Sequence, residues 1–348
     1  MNKVICLYDP NAYELYKEGI YPSHFLYGAV QMEEAGYKVE FIDVSKKGNT
    51  FLRFCKNVFN LKKLKPDVIF IPFFTPNESW ICWAKLLRLL KCPVIGISHK
   101  TLAVRRREKP YRKLLYSQLA KLFFLSPLNL EKSLQNGVVR KERTDFLVWG
   151  ADLDFYDKLS HNTTQYNTIQ FLSTGKENRD FETLIKAFSQ TSSKIEVFTA
   201  PHAGLTYDYL NFFAGKYENI KAHLIKNEKH TSFDLAKKVV GAYCIVVPVI
   251  QNSIGYCVGF SSIVEAMALG KPVIVTENPY HPVDVEEQNI GIKVNSVEDW
   301  IKAINYLSGN KEIAEQMGKN ARKLVESEFN ITACGNQIVE TINKLLKH

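Results

Sequence analysis

The first half of the chain alternates short apolar runs with longer amphipathic segments. The apolar runs are rich in Val, Ile, Leu and Phe, which is typical of strands buried on both faces of a sheet. The candidate strands are Val4–Tyr8, Val39–Val44, Val68–Pro72, Pro93–Ser98, Leu122–Leu125 and Phe146–Val148. Helical periodicity falls between them, around residues 24–36, 51–64, 78–91 and 103–120. This alternation predicts βαβ units and a doubly wound parallel sheet.

A second series of the same kind begins after residue 165. Its candidate strands are Ile169–Ser173, Ile195–Thr199, Ala222–Ile225, Cys244–Val249, Val273–Thr276 and Ile292–Val294. Helices are predicted at about 180–190, 231–240, 261–269, 296–308, 311–328 and 331–346. The polar stretch 158–167 is the best linker. The sequence therefore predicts two α/β domains, 1–157 and 168–330, with strand ends facing each other across a cleft where ligands bind.

Length and composition agree with two domains. The chain has 348 residues, 46% of them hydrophobic, and no apolar run approaches the ~20 residues that span a bilayer. Its seven cysteines are scattered and odd in number, which favours free thiols in a reducing cytoplasm. Neither the cysteines nor the eight histidines have the spacing of a metal site, and we expect no catalytic metal.

The positive charge lies in the first half. Residues 1–150 contain 25 Lys and Arg against 13 Asp and Glu, a balance of +12, whereas the rest of the chain sums to −3. Residues 46–65 carry seven basic groups and no acid, and residues 100–121 carry eight against Glu108 alone. Within the latter, Leu102–Phe124 mixes cations with Leu, Tyr and Phe. A solvated amphipathic helix, a membrane-surface helix and a nucleic-acid contact all fit that pattern, but no nucleic-acid module accompanies it.

The run SIVEAMALGKPVIV, residues 262–275, predicts a short helix followed by a buried strand. Ser261 or Ser262 can cap the helix start, and Gly270 can adopt the left-handed conformation after its end. Glu265 then lies in the first turns, near backbone N–H groups that attract anions. A capped helix with a solvated glutamate explains these residues, and so does a ligand with hydroxyls and phosphates, such as a nucleotide.

Four segments of the chain resemble retaining, family-4-type (group 1) glycosyltransferases of the GT-B fold. They are EAMALGKPVI at 265–274, STGKENRDFETLIKAF at 173–188, DFLVWGADLDFY at 145–156 and MGKNARKLVESEFN near the C-terminus. The resemblance implies that Glu265 holds the ribose of a sugar nucleotide. It also implies that the helix 331–348 packs back on the first domain.

Two loops of the second half are the expected donor-binding segments. The resemblance implies that Lys176 and Arg179 bind the diphosphate, with Gly175 allowing close approach and the following helix adding its N-terminus. Without the resemblance, a solvated basic turn is the simpler interpretation. The sequence NSIGYCVG at 252–259 would lie near the sugar, with Asn252, Gly255, Gly259, Ser261 and Ser262 as candidate contacts. Cys257 stands where many retaining members carry a second glutamate.

Candidates in the first half are weaker. His99 follows the strand Pro93–Ser98, and the resemblance implies a catalytic position facing the donor's sugar and diphosphate. His24 is a candidate for acceptor contact. Asp152-Leu153-Asp154 imitates a metal-binding Asp-x-Asp motif, but its place in the chain favours turn and cap chemistry.

These observations predict a cytoplasmic, metal-independent glycosyltransferase that uses a UDP- or GDP-sugar as its donor substrate. The acceptor would be a glycan or lipid-linked molecule of bacterial surface polysaccharide or glycolipid synthesis. The basic first domain would meet that acceptor, and it would also bind an anionic membrane surface peripherally. An inactive GT-B partner subunit that binds glycans and a sugar-nucleotide epimerase, which shares this fold, are the alternatives.

Overall fold

The computed structural model describes residues 2–44, 49–103, 105–161, 170–202, 206–226 and 231–347. The chain forms two compact units: residues 1–18, 23–149 and 331–348 make the first, and 19–22 and 150–330 make the second. The sequence interpretation placed 150–157 in the first domain, whereas the structure places them in the second unit. Of the expected linker, 158–161 are helical and 162–167 lie outside the described residues.

The first unit contains one parallel sheet and its helices. In chain order its elements are β1 (Lys3–Cys6), α1 (Pro10–Lys17), α2 (Ala29–Glu34), β2 (Lys38–Phe41), α3 (Thr50–Leu64), β3 (Val68–Ile71), α4 (Ser79–Leu86), β4 (Val94–Ser98), α5 (Lys109–Tyr116), β5 (Lys121–Phe124), α6 (Pro127–Gln135) and β6 (Thr144–Phe146). The strand order is β2-β1-β3-β4-β5-β6, and all pairs are parallel. The predicted doubly wound sheet is confirmed.

The helices α3, α4 and α5 cover one face of this sheet. Val58 of α3, Ile81 of α4 and Leu115 of α5 share one buried cluster with strand residues such as Ile69 and Leu122. Burying apolar side chains at about 25 cal/mol per Å² stabilises this layer.

The second unit repeats the architecture. Its elements are α7 (Leu153–His161), β7 (Gln170–Thr174), α8 (Phe181–Phe188), β8 (Lys194–Thr199), α9 (Tyr209–Ala214), β9 (Ile220–Leu224), α10 (Thr231–Gly241), β10 (Cys244–Val247), α11 (Phe260–Ala268), β11 (Val273–Thr276), β12 (Gly291–Val294), α12 (Val297–Gly309) and α13 (Lys311–Ser327). The strand order is β12-β11-β10-β7-β8-β9, again with parallel pairing. The chain adds β8 and β9 on one side of β7 and then returns to place β10 on the other. The carboxyl ends of β7 and β10 therefore mark the topological switch point, where ligands bind in open α/β sheets.

The last helix, α14 (Ile331–Leu346), belongs to the first unit, where it packs on α2. Their backbones approach so closely at Gly335 that a Cβ there would overlap Gln31, at 2.5 Å from its Cβ. Gln337 adds a hydrogen bond to the carbonyl of Phe146 (2.8 Å).

Four helices of the described residues were absent from the sequence prediction: α1, α6, α7 and α9. Two of them, α1 and α6, start at a proline that directly follows a capping residue, a few residues after a strand ends. Asp9 caps α1 by accepting from the N–H of Asn11, and Ser126 caps α6 by accepting from Asn129. Proline is well suited to the first helical position because its fixed φ fits the helix and its missing N–H is not needed there.

Candidate functional site

The loop after β7 is shaped by Gly175 and Arg179. Gly175 has φ +109°, a conformation that side chains rarely adopt, and a Cβ there would collide with the Arg179 guanidinium. The loop ends at Asp180, which caps α8 by accepting from the N–H of Thr183 (3.1 Å). The sequence therefore builds a tight turn that leads directly into a helix N-terminus.

Arg179 is buried, with only 4% of its surface exposed, so the alternative of a solvated basic turn is wrong for this residue. Its Nε and Nη2 donate to the carbonyl of Thr174 (both 3.3 Å), and Nη1 donates to the carbonyl of Glu177 (3.0 Å). Nη2 also donates to the hydroxyl of Ser262 on α11 (3.2 Å). These bonds join the loop after β7 to the helix after β10.

The hydrogen-bonding capacity and the charge of Arg179 suit an anion. Within the described residues, four of its five N–H groups have protein acceptors, and the Nη1 atom lies near Gly259, where a Cβ would be 3.7 Å from it. Burial lowers the pKa of Arg179, whereas neighbouring acidic groups raise it. Arg179 thus holds the loop in place and adds positive charge beside the start of α11, a suitable arrangement for phosphate oxygens.

Lys176 is held through its backbone. The hydroxyl of Tyr207 donates to the carbonyl of Lys176 (2.8 Å) and accepts from the N–H of Arg179 (3.2 Å). Tyr207 is itself buried, and the Lys176 side chain is partly exposed. The two predicted cations therefore sit on one braced turn, Arg179 inside it and Lys176 at its surface.

The loop after β10 meets this turn directly. The N–H of Ile250 donates to the carbonyl of Asn178 (3.0 Å), and the amide of Asn178 donates to the hydroxyl of Tyr256 (3.3 Å). Tyr256 also hydrogen-bonds to Glu177, which together with burial raises its pKa. Asn252 is exposed at the outer part of this loop.

The start of α11 differs from the sequence prediction. The helix begins at Phe260 with Gly259 as its N-cap, so the prediction that Ser261 or Ser262 caps it is wrong. Gly259 has φ +87°, and a Cβ there would lie 2.7 Å from Val247, so no serine fits this position. Ser262 lies inside the first turn and accepts from Arg179 instead. Gly255, by contrast, has open space where a Cβ would be. At the other end, Gly270 has the predicted left-handed conformation, φ +62°.

Glu265 lies on α11, after its first turn, and its surroundings shift the pKa of its carboxyl group. Burial raises the pKa of Glu265 to about 7, whereas a hydrogen bond from Tyr156 and the charge of Arg179 lower it. Tyr156 comes from α7 and is buried. A carboxylate accepts hydrogen bonds, and the two hydroxyls of a ribose are suitable donors.

Two residues that the sequence analysis missed hydrogen-bond to backbone carbonyls of the loop 252–259. Asn278 donates to the carbonyls of Tyr256 (3.0 Å) and Val258 (3.4 Å), and the Nε2 of His281 lies 2.9 Å from the same Val258 carbonyl. A carbonyl only accepts, so His281 is protonated on Nε2. Burial lowers the pKa of His281 to about 4, and the ring is neutral near pH 7. Their position just after β11, at a strand's carboxyl end, was the signal that could have found them.

Cys257 does not replace the acid that the family often has at this place. Burial raises the pKa of its thiol to about 12, so the sulfur stays protonated at neutral pH. All seven cysteines of the chain are unpaired, as predicted.

At the switch point of the first unit, between β1 and β3, the side chains are aromatic. Phe73 lies between Tyr8 (ring centroids 5.7 Å apart) and His99 (4.2 Å), with all three rings nearly parallel. The Nε2 of His99 is 2.9 Å from the carbonyl of Pro72, and Tyr27 closes the cluster edge-on. We call Tyr8, Phe73 and His99 the aromatic stack.

His24 is fully buried and packs against Phe25 and edge-on against Trp149. Its backbone carbonyl accepts from the Trp149 indole (2.8 Å). The structure therefore gives His24 a packing role, which does not support the predicted contact with an acceptor.

The Asp-x-Asp sequence has the predicted capping role. Asp152 accepts from the N–H of Phe155 (3.0 Å) at the start of α7. Among the residues that the structure describes, no group of three or more His, Cys, Asp and Glu side chains is arranged to hold a metal ion.

Comparison with known structures agrees with this architecture. A glycosyltransferase from Rickettsia africae has TM-score 0.76 and 14% identity, covering 100% of this chain and 99% of that one. Anabaena Alr3699/HepE in complex with UDP-glucose has TM-score 0.68 and 15% identity, covering 99% and 100%. WaaG, a glycosyltransferase involved in lipopolysaccharide biosynthesis, has TM-score 0.64 and 15% identity, covering 98% and 99%. No curated protein has a matching sequence.

Two parallel six-stranded sheets with this likeness define a GT-B fold. Residues 154–324 match the family model of glycosyl transferases group 1, a range that contains every residue of the second-unit site described above. The second unit therefore contains a glycosyltransferase domain of this group.

Proposed function

We propose that the protein transfers a sugar from a UDP- or GDP-sugar to a glycan or lipid-linked acceptor, without a metal ion and with retention of configuration. In this proposal Arg179 and Lys176 bind the diphosphate and Glu265 binds the ribose. The loop 252–259, with Gly255 and Gly259, lies near the sugar, and Asn252, Ser261 and Ser262 complete the donor contacts.

One observation carries the proposal: Arg179 connects the two loops at the switch point. Its guanidinium bonds to the β7 strand end and to Ser262, and its charge reaches Glu265 on the same helix. The positive charge of Arg179, the N-termini of α8 and α11 and the carboxylate of Glu265 together support this assignment. Stabilising a departing diphosphate in this way is an effective source of catalysis, because no reorganisation is needed as charge develops.

The acceptor would bind at the first unit. Its aromatic stack suits the apolar face of a sugar ring, and His99 would be the catalytic contact nearest the transferred group. The net charge of +12 in residues 1–150 supports an anionic acceptor or membrane surface. We therefore propose a peripheral position on the inner face of the cell membrane, in surface polysaccharide or glycolipid synthesis.

A panel of sugar nucleotides tests the donor assignment. A preferred donor at about one hundred times its Kd stabilises the native state by about 2.7 kcal/mol, so the melting temperature rises for one base and sugar over the others. Glu265→Gln should remove most of this shift, and Glu312→Gln on the exposed start of α13 is the matched control that should keep it. No shift with any sugar nucleotide would contradict the proposal and favour an inactive partner subunit.

Product analysis separates the enzyme classes. Transfer requires an acceptor and releases a nucleoside diphosphate, and NMR of the product's anomeric proton reports whether configuration is retained. Conversion of the donor sugar in the absence of an acceptor would instead identify an epimerase.

A further inference from the structure

Helix α3 presents apolar side chains to solvent. Phe51, Leu52 and Phe59 are 70%, 68% and 69% exposed, values unusual for large apolar residues in a folded unit. Leu52 and Phe59 are seven residues apart and hence lie on one side of the helix, two turns apart. Lys56 and Lys63 occupy the same exposed side at positions 56 and 63.

This exposure does not come from a poorly packed helix. The opposite side of α3 is anchored, because Val58 and Leu61 are buried in the cluster that joins the helix to the sheet. Asn49 caps the helix by accepting from the N–H of Phe51 (2.8 Å). The apolar residues are therefore held outward by a stable helix.

The neighbouring helices continue the same surface. α4 contacts α3 and α5, and all three cover one face of the sheet. Trp83 and Leu87, one turn apart at α4, are 43% and 58% exposed, and Leu114 of α5 is 49% exposed. We call the exposed sides of α3, α4 and α5 the basic apolar face.

The charge on this face selects its partner. α3 contains Arg53, Lys56, Lys62 and Lys63 and no acidic residue. Lysines beside Phe, Leu and Trp are typical of surfaces that lie at the boundary between headgroups and acyl chains. There the cations meet anionic lipids and the apolar groups enter the hydrocarbon. An apolar protein partner would instead match a face with few lysines.

No helix among the described residues has both the length and the apolar character to cross a bilayer. Contact with lipid would therefore be made along the surface, at the interface.

We propose that the basic apolar face docks onto an anionic phospholipid bilayer, with Phe51, Leu52, Phe59 and Trp83 entering the acyl region and Lys56, Lys62 and Lys63 at the headgroups. This deepens the proposed function, on whose membrane position it rests, by naming the docking surface.

Sedimentation of the full chain with lipid vesicles tests the apolar half of the proposal. The wild type should bind vesicles of mixed phosphatidylglycerol and phosphatidylcholine. A triple variant should lose at least about tenfold in partition coefficient, because Phe and Leu side chains gain transfer free energy on entering hydrocarbon; its changes are Phe51→Ser, Leu52→Ser and Phe59→Ser. Phe212→Ser is the matched control, since Phe212 is 73% exposed on α9 of the second unit, and it should bind as the wild type does.

A second variant set tests the charged half. Each lysine replaced by glutamine should weaken binding to the anionic vesicles by roughly fivefold and reduce its salt dependence. The lysines changed are Lys56, Lys62 and Lys63, with Lys319 and Lys323 on α13 as exposed controls that should leave binding unchanged. Vesicles of phosphatidylcholine alone should bind the wild type much more weakly.

Quenching of tryptophan fluorescence measures how deeply the basic apolar face enters the bilayer. Bromine atoms on the acyl chains should quench tryptophan emission of the bound wild type, and Trp83→Phe should remove most of that quenching.

The outcomes separate this inference from the donor assignment. If the wild type binds anionic and neutral vesicles equally, or if the Phe51, Leu52 and Phe59 changes convert a dimer to a monomer without affecting lipid binding, the docking proposal is wrong. Sugar-nucleotide thermal shifts, measured without lipid on the same variants, should stay as in the wild type. If sugar nucleotides raise the melting temperature of neither the wild type nor any variant, the donor assignment is wrong and the docking proposal is unaffected.

Discussion

The two units have closely related sheets but different chemistry at their switch points. In the second unit the ends of β7 and β10 carry a buried arginine, a carboxylate with a raised pKa and a hydrogen-bonded loop. In the first unit the ends of β1 and β3 carry the aromatic stack of Tyr8, Phe73 and His99. The same topology thus places charge in one unit and ring faces in the other.

Under the proposed function, this difference would divide the transfer reaction between the two units, with the donor at one and the acceptor at the other. A diphosphate needs fixed positive charge and backbone N–H groups, which require a braced loop. The sugar ring of an acceptor needs a flat apolar contact and a fixed orientation, whatever charge the rest of the acceptor carries. The predictions below test whether charge and ring contacts act on different substrates.

Arg179→Ala should have the largest effect. It removes four hydrogen bonds from a buried turn, so we expect a loss of about 3 kcal/mol in the free energy of unfolding and a fall in donor affinity of about a hundredfold or more. Calorimetric titration with the preferred donor and chemical denaturation measure the two effects.

Arg143→Ala is the matched control. Arg143 also donates to backbone carbonyls, those of Ser117 and Leu119, but in the first unit. It should destabilise the protein and leave donor affinity within roughly twofold. An equal loss of donor affinity in both variants would mean that destabilisation alone explains the result for Arg179.

Glu265→Gln should separate stability from binding. Because the folded protein raises the pKa of Glu265 from 4.5 to about 7, the protonated form is favoured, and this stabilisation is full below pH 4.5 and is lost as the pH rises through 7. The permanently neutral glutamine should thus make the protein about 1–3 kcal/mol more stable than the wild type at pH 8, with little difference at pH 4.5. Donor affinity should fall about tenfold or more at pH 8, where the wild type has its carboxylate.

The pH profile of donor affinity gives a sharper readout of the same residue. Wild-type affinity should rise with pH through about 7, and the glutamine variant should show no such rise. Tyr156→Phe removes a hydrogen bond that lowers the pKa of Glu265, so the rise should move to higher pH. If Tyr156→Phe does not change the pH at which donor affinity rises, Glu265 does not control binding.

Phe73→Ala tests the first unit. The side chain is 40% exposed, so the cost in stability should be small. The KM for the acceptor should rise by roughly fivefold, since an aromatic contact contributes about 1 kcal/mol. Donor affinity should not change. If the KM for the donor rises and the KM for the acceptor does not, the aromatic stack does not bind the acceptor as proposed.

His281→Gln should have the smallest effect. It weakens one of the supports of the Val258 carbonyl while Asn278 keeps the other, so we expect a fewfold loss of donor affinity, on the order of 1 kcal/mol. Adding Asn278→Ala should increase the loss beyond the sum of the single variants, because both residues hold the same loop. Additive effects in calorimetry would indicate that the two supports act independently.

Much of the fold was predictable because apolar periodicity is local. Runs such as Val68–Pro72 and Val273–Thr276 identify buried parallel strands directly. The helices α1 and α6 were not predicted, although each begins with an N-cap residue followed by proline, a recognised start signal for a helix.

The site was predictable in part. Arg179, Ser262 and Glu265 lie in segments whose motifs identified them, and the structure brings them together. Tyr156, Tyr207 and His281 were not found, since a single tyrosine or histidine has no distinctive spacing, and only the place of His281 just after β11 was a signal. The prediction that Ser261 or Ser262 caps the helix was wrong. The N-cap is Gly259, where Val247 of strand β10 leaves no room for a Cβ, and this contact is between residues that are not neighbours in the chain.

The sequence by itself determined two α/β units and the excess of positive charge in the first half, because these depend on neighbouring residues and composition. The class of chemistry in the second half was implied by its resemblance to a known family. Only the tertiary structure decided that Arg179 is buried, that the pKa of Glu265 is near 7 and that Phe73 stacks between Tyr8 and His99. Burial and contact join residues that are distant in the chain, and no local pattern specifies which of them meet.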